Sequence, residues 1–219
     1  MFLITSVITP SKNPLSYHST RSVFSPEQRL AQTIESIESI RKYNDQKIFL
    51  VECSNKNDDI DMRSVVDRVD VYIDLSKDDR FVSEINQPNK SWAELLMIGR
   101  CLEHLPSNLE EPVLKLSGRY ALNENFKSIN LNKDADLSCK MFTQHGPMRC
   151  CSVLYQMKNV SMYRDFYQFC IDALFQHRYN ISMEEMLYVW CVNTYKSMHV
   201  IDSLGCQGRI AVTGNFETY

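Results

Sequence analysis

The chain has 219 residues, enough to bury a substantial core in one large domain without disulfide staples. At 44% hydrophobic and 23% charged residues, its composition is that of an ordinary globular protein. A formal net charge of −3 argues against a nucleic-acid binder that relies on a phosphate-matching surface, although it leaves room for a local basic cleft.

In chain order, residues 2–8 (FLITSVI) form a short β-branched run of the kind that makes a buried central strand. Residues 9–24 carry Pro10, Pro14 and many Ser and Thr, a loop unusually long for a first βα connection, and long ordered loops are more often functional than idle. Ser25-Pro26-Glu27-Gln28 starts a helix. Ser25 caps it, Pro26 suits its first turn and Gln28 completes a capping box, after which Leu30, Ile34, Ile37 and Ile40 fall on one face. Residues 47–53 (KIFLVEC) read as the second strand, followed by a turn-rich stretch at 55–59. A short helix at 60–68, a third strand at 69–75 and a polar loop at 76–89 come next, and then a helix over 90–105. Residues 113–116 form a fourth strand that runs into Ser117-Gly118-Arg119-Tyr120. Beyond it, 135–142 and 150–156 read as strands, 162–175 and 183–195 as helices, and 199–213 as a final extended piece.

This alternation predicts a single α/β domain with a mostly parallel central sheet flanked by helices. The eight cysteines include no CxxC pair and several sit in apolar stretches, so they read as reduced core thiols. No run reaches the ~18 apolar residues of a membrane span. The first residues lack the marks of a signal peptide, and the expected location is the cytoplasm.

Ligands of open parallel sheets bind beyond the strands' carboxyl ends. That rule selects Thr5 and Ser6, Glu52 and Ser54, Asp74, and the 117–120 turn. Singly, each is explained as a polar strand terminator; together they suggest one crevice. The order of strand with Thr-Ser, helix, strand ending in acid-x-Ser, strand, helix, and strand ending in a polar turn resembles the nucleotide-sugar half of GT-A glycosyltransferases. The resemblance spans roughly residues 2–126. It implies a nucleotide-sugar-binding half at 1–126 and an acceptor-binding half at 127–219. It also places Thr5 and Ser6 near the base and ribose, Glu52 and Ser54 at the nucleoside, and Lys90-Ser91-Trp92-Ala93-Glu94 at the start of the helix before the diphosphate strand.

GT-A enzymes usually carry Asp-x-Asp after the fourth strand, holding Mn²⁺ or Mg²⁺ against the diphosphate; here the position reads Ser117-Gly118-Arg119. Gly118 would admit a close backbone approach, and Arg119 offers a cationic fork that would partly replace the metal. The structural alternative for Arg119 is a salt bridge. A literal Asp-x-Asp occurs at Asp134-Ala135-Asp136, where a solvated turn competes with metal binding. For an inverting enzyme, Ser182-Met183-Glu184-Glu185 resembles the acidic pair that supplies the base. Ser182 and Glu185 also make a capping box, which leaves Glu184 the freer carboxylate. Tyr120 and His145 are the residues expected at an acceptor. The implied partners are a nucleotide-diphosphate sugar and a glycan or other hydroxyl acceptor, with no nucleic acid. The competing readings are a non-catalytic nucleotide- or glycan-binding domain of the same fold, and an unrelated α/β hydrolase-type or assembly protein.

Overall fold

The computed structural model describes residues 1–55, 60–142, 148–177 and 182–219. Residues 56–59, within the expected turn, and His145 lie outside them. From the amino end, β1 (Phe2–Ser6), α1 (Pro26–Tyr43), β2 (Ile48–Glu52), the short α2 (Arg63–Val66) and β3 (Val71–Asp74) alternate. They are followed by α3 (Asp79–Ile85), α4 (Lys90–Glu103), β4 (Val113–Ser117) and β5 (Tyr120–Leu122). After a 3₁₀ turn at Glu124–Ser128 come β6 (Leu137–Phe142), β7 (Arg149–Met157), α5 (Val160–His177) and α6 (Met183–Asn193). The chain closes with β8 (Met198–Val200), β9 (Cys206–Arg209) and β10 (Phe216–Thr218).

The main sheet has the order β3-β2-β1-β4-β7-β6-β8, and a small second sheet has the order β10-β9-β5. β7 runs antiparallel to both β4 and β6, while β8 is parallel to β6, so within the main sheet β7 alone is reversed. Side chains alternate across the pleat and give the sheet two cores. Leu3, Val51 and Val113 face a cluster with α4, α5 and α6, whereas Phe2, Ile4 and Leu116 face Ile37 and Ile40 of α1. All eight cysteines are free and buried, as their apolar surroundings predict. Among the described residues, no helix is long and apolar enough to cross a membrane.

Local chemistry sets the helix starts. Ser25 and Gln28 make the expected capping box, and Asn89 caps α4 by accepting from the Ser91 and Trp92 amides. The polar stretch 76–89 departs from the loop expectation. Asp78 accepts from the Arg80 and Phe81 amides, and Ile85 is buried with Phe81 and Val82 packed beside it, which is enough for the two turns of α3. β5 is a second departure. It follows the 117–119 turn directly and pairs with β9, whose Gly208 leaves room for the Arg119 carbonyl where a Cβ would stand 2.4 Å away. The extended piece expected at 199–213 holds two short strands, β8 and β9, in two different sheets, and β10 follows beyond it.

A charged pair lies at the core on the α4 side. Lys115 is fully buried and pairs with Glu94 of α4, while donating to Ser117 Oγ (2.7 Å) and the Ser152 carbonyl (2.9 Å). Losing one member of such a pair leaves an uncompensated buried charge, which costs about 3–5 kcal/mol, whereas replacing both with apolar side chains is far milder. Lys115→Met is therefore expected to lower the stability measured by urea unfolding by that amount, with Lys115→Met/Glu94→Leu recovering most of the loss.

Candidate active site

The strand order turns at β1 and β4, the place where an open parallel sheet leaves a crevice. A cleft of about 640 Å³ opens there. Thr5 and Ser6 from β1 and Ser117 and Gly118 from β4 line it together. Because β7 is reversed, its first residues reach the same end of the sheet and bring Arg149 and Ser152 to the cleft. Two helices begin at it: Lys90 and Glu94 come from the first turns of α4, and Glu184 and Glu185 from the first turn of α6. The Met183 amide donates to Ser91 Oγ (3.0 Å), which ties these two helix starts together.

The long loop 9–24 covers one side, with Tyr17 and Arg21 on the cleft. Arg21 fastens it by donating to the carbonyls of Ile85 and Asn86 (both 3.1 Å) and Gln87 (2.5 Å), at the carboxyl end of α3. The Ser16 amide adds a bond to the Pro88 carbonyl (3.2 Å). Tyr120 and Tyr219 meet edge to face, with centroids 5.7 Å apart, and both line the cleft.

Thr5, Ser6, Lys90, Ser117, Gly118, Arg119, Tyr120, Glu184 and Glu185 are thus gathered at one cleft. Gly118 makes its close approach to β1 rather than to open space. Its amide donates to the Thr5 carbonyl (3.0 Å), and a Cβ would stand 3.1 Å from that oxygen and 3.1 Å from the Ser6 Cβ. Arg119 forms no ion pair among the described residues; its guanidinium donates to the Arg209 carbonyl (3.0 Å) and lies over the Tyr120 ring. Glu184 accepts from Ser152 Oγ at 2.5 Å. Glu185 completes the capping box with Ser182 and pairs with Arg149 at 3.5 Å.

Two expectations are corrected. Glu52 and Ser54 are not on the cleft. Glu52 is 2% exposed and accepts from the Ile8 amide (2.9 Å) and from Ser54 Oγ, while Ser54 accepts from the Thr9 amide (2.7 Å). The two residues clamp the exit of β1 to β2 and thereby aim the covering loop. Asp134 and Asp136 precede β6 at the end paired with Met157, which is the opposite end of the sheet from the cleft. There Asp136 accepts from the Ser197 amide and hydroxyl (both 2.9 Å), fastening the start of β8.

The cleft is electrostatically lopsided. Burial works against ionisation of Glu94, but the charge and hydrogen bond of Lys115, then Lys90 and Arg119, outweigh it and hold its carboxyl below the usual value. Lys90 is exposed to solvent. Crowding by protein groups, then Arg119, lowers its ammonium below the ordinary lysine value against the pull of Glu94 and Glu184, and contact with water limits that shift. Arg29, an α1 residue that no sequence motif singled out, lines the cleft at 8% exposure. It donates to the Val7 carbonyl (2.5 Å), and burial, then Arg119, lower it to about 9. One signal marked it. Arg29, Thr33 and Ser36 follow helical spacing beside the apolar stripe of α1, and Thr33 Oγ1 bonds the Gly118 carbonyl at the cleft (3.0 Å). Tyr17, Arg149, Ser152 and Tyr219 reach the cleft only through the tertiary fold and left no such pattern.

No family model and no curated protein sequence matches the chain. Solved structures do match in shape. A galactosyltransferase, LgtC, in complex with donor and acceptor sugar analogs superposes with a TM-score of 0.53 at 11% identity, covering 91% of this chain and 73% of that one. A nucleoside-diphosphate-sugar pyrophosphorylase from Vibrio cholerae RC9 superposes with a TM-score of 0.54 at 9% identity, covering 91% of each chain. An inositol-1-phosphate CTP transferase from T. maritima gives a TM-score of 0.50 at 9% identity, covering 91% of this chain and 84% of that one. The fold is GT-A-like. Similarity at this identity is one of architecture, so activity has to be argued from the site of this GT-A-like chain.

Glu52 offers a check on how β1 is held. Burial raises its carboxyl above the ordinary 4.5, against hydrogen bonds from Ser54, Ile8 and Ser6. A carboxyl raised on folding imposes no penalty below its unfolded value. As pH climbs from 4.5 toward the folded value, the unfolded chain gains by ionising and the fold loses stability. Glu52→Gln keeps an acceptor oxygen without the charge. Melting curves are expected to show wild type losing stability over that rise and Glu52→Gln losing less, while Glu52→Ala is destabilised throughout.

Proposed function

We propose that this chain is a glycosyltransferase that moves a sugar from a nucleotide-diphosphate sugar to the hydroxyl of a glycan or similar acceptor. The observation that carries this reading is the single cleft at the β1/β4 ends. It gathers a polar strand end, the cations Arg29, Lys90 and Arg119, and the carboxylate Glu184 at a helix start. The architecture agrees with it, since the galactosyltransferase of like fold was captured with donor and acceptor sugar analogs.

In this reading the nucleoside lies by Thr5 and Ser6 under the 9–24 loop, with Tyr17 across from it. The diphosphate lies toward Lys90, Ser117, Gly118 and Arg119. The acceptor enters past Tyr120 and Tyr219. Glu184 is the general base. It takes the proton of the acceptor hydroxyl as that oxygen attacks the anomeric carbon; the bond from that carbon to the diphosphate oxygen breaks, and its electron pair leaves with the nucleoside diphosphate. Ser152 holds the Glu184 carboxylate in place by donating to it at 2.5 Å. Glu185, spent on the helix cap and Arg149, positions the start of α6 rather than acting on substrate. Orientation within the cleft and stabilisation of the leaving diphosphate supply the remaining acceleration.

The test begins with a thermal-shift screen of UDP, GDP and CDP sugars, followed by turnover of whichever stabilises the chain. Glu184→Gln is expected to lower kcat by about 10²–10⁴, the range of a lost general base, while nucleotide affinity stays within a few-fold. A tight nucleotide with no transfer to any hydroxyl acceptor, even in wild type, would instead assign the non-catalytic binding domain.

A further inference from the structure

The GT-A resemblance brings with it a divalent cation on Asp-x-Asp after the fourth strand, and the residues in this cleft do not fit one. The corresponding turn is Ser117-Gly118-Arg119, and Arg119 would set a fixed positive charge beside the ion. The carboxylates on the cleft are already engaged: Glu94 with buried Lys115, Glu184 with Ser152, and Glu185 with Ser182 and Arg149. Among the described residues, no group of three His, Cys, Asp or Glu side chains could hold a metal ion. A hard cation needs several free oxygen ligands of negative charge, and this site presents the reverse.

What the cleft does present is an excess of cations. Its ion pairs are Lys115–Glu94 and Arg149–Glu185, and Arg21 is spent on backbone carbonyls. Arg29 from α1, Lys90 from α4 and Arg119 after β4 line the same space and form no ion pair among the described residues. Each comes from a different part of the fold. Arg29 is anchored at its Nε by the Val7 carbonyl and reaches toward Ser22 Oγ (3.4 Å), so its guanidinium cannot swing out to solvent. Like charges facing one low-dielectric cleft disfavour one another, and a bound polyanion relieves that repulsion. The chain's net charge of −3 makes this local cluster the more pointed.

We propose that Arg29, Lys90 and Arg119 form a diphosphate cradle that serves this chain in place of a divalent cation. The proposal rests on the nucleotide-sugar reading above and adds what neutralises the leaving group. A sugar nucleotide carries two diphosphate charges, and bond cleavage adds a third as the nucleoside diphosphate departs. Three cations match that developing charge better than they match the intact donor, which favours the transition state over the ground state. Lys90 makes the cradle sensitive to pH. Arg119 and Arg29 face its ammonium from the cationic side, and Glu94 and Glu184 from the acidic side.

Calorimetric titration of the full chain with UDP, GDP and CDP, each in EDTA and in Mn²⁺, tests this. The expected result is one nucleoside diphosphate binding with affinities within about twofold in the two buffers. Arg119→Gln and Lys90→Met should each weaken it tenfold or more with unchanged melting temperature; Arg29 is too buried to serve alone. Affinity in EDTA should fall with rising pH as Lys90, lowered from the ordinary lysine value, loses its proton, and Lys90→Arg should lessen that fall. Binding that needs Mn²⁺ and vanishes in EDTA would overturn the cradle while leaving the nucleotide reading intact. Undiminished affinity in both Arg119→Gln and Lys90→Met would do the same. Failure of every nucleotide to bind in either buffer would overturn both.

Discussion

The buried Lys115–Glu94 pair is the contact on which the arrangement of the cleft depends. Lys115 is on β4, Glu94 is on α4, and the Lys115 ammonium also holds the Ser152 carbonyl of β7. One charged group therefore fixes the relative positions of three cleft-lining elements. Its burial demands this: a lysine with no exposure to solvent has to find its partners within the protein. Ser117 and Thr5 are drawn into the same network, with Thr5 Oγ1 at 3.5 Å from the Glu94 carboxylate. The polar ends of β1 and β4 are thereby set against the first turn of α4 before any ligand arrives.

A second constraint acts from the other side of the sheet. Thr33 of α1 bonds the Gly118 carbonyl and lies 3.1 Å from Ser6 Oγ, while Arg29 holds the Val7 carbonyl. The exit of β1 is thus clamped by α1, by Gly118, and through Glu52 by β2. Preorganisation of this kind is what a polar site requires, since cations held by the fold do not have to be gathered at the moment of binding. The starts of α4 and α6 add their positive helix ends to the same space.

Much of this was legible in the sequence. The four parallel strands, the capped α1 and the helix at Lys90 each carried a local signal of periodicity or capping, and those signals are independent of tertiary context. The strand-end rule picked Thr5, Ser6 and the 117–120 turn, and these do meet at one cleft. It failed for Glu52 and Ser54 because a carboxylate at a strand end can turn inward to satisfy backbone amides as readily as outward to a ligand. α3 was hidden because its apolar face is only three residues wide, and β5 because so short a strand exists only through its pairing with β9. Arg29 was missed because an arginine beside an apolar stripe reads as solvated until the packing of α1 against the β1 exit is known.

The cleft between β1, β4 and the starts of α4 and α6 is proposed above to take a nucleoside diphosphate. A crystal structure of the chain grown with the nucleotide that binds most tightly tests it most directly. The base and ribose are expected beside Thr5 and Ser6 under the 9–24 loop, with the phosphates within hydrogen-bonding distance of Arg29, Lys90 and Arg119. A nucleotide seated elsewhere on the molecule, or in this cleft with its phosphates turned away from those three side chains, would contradict it.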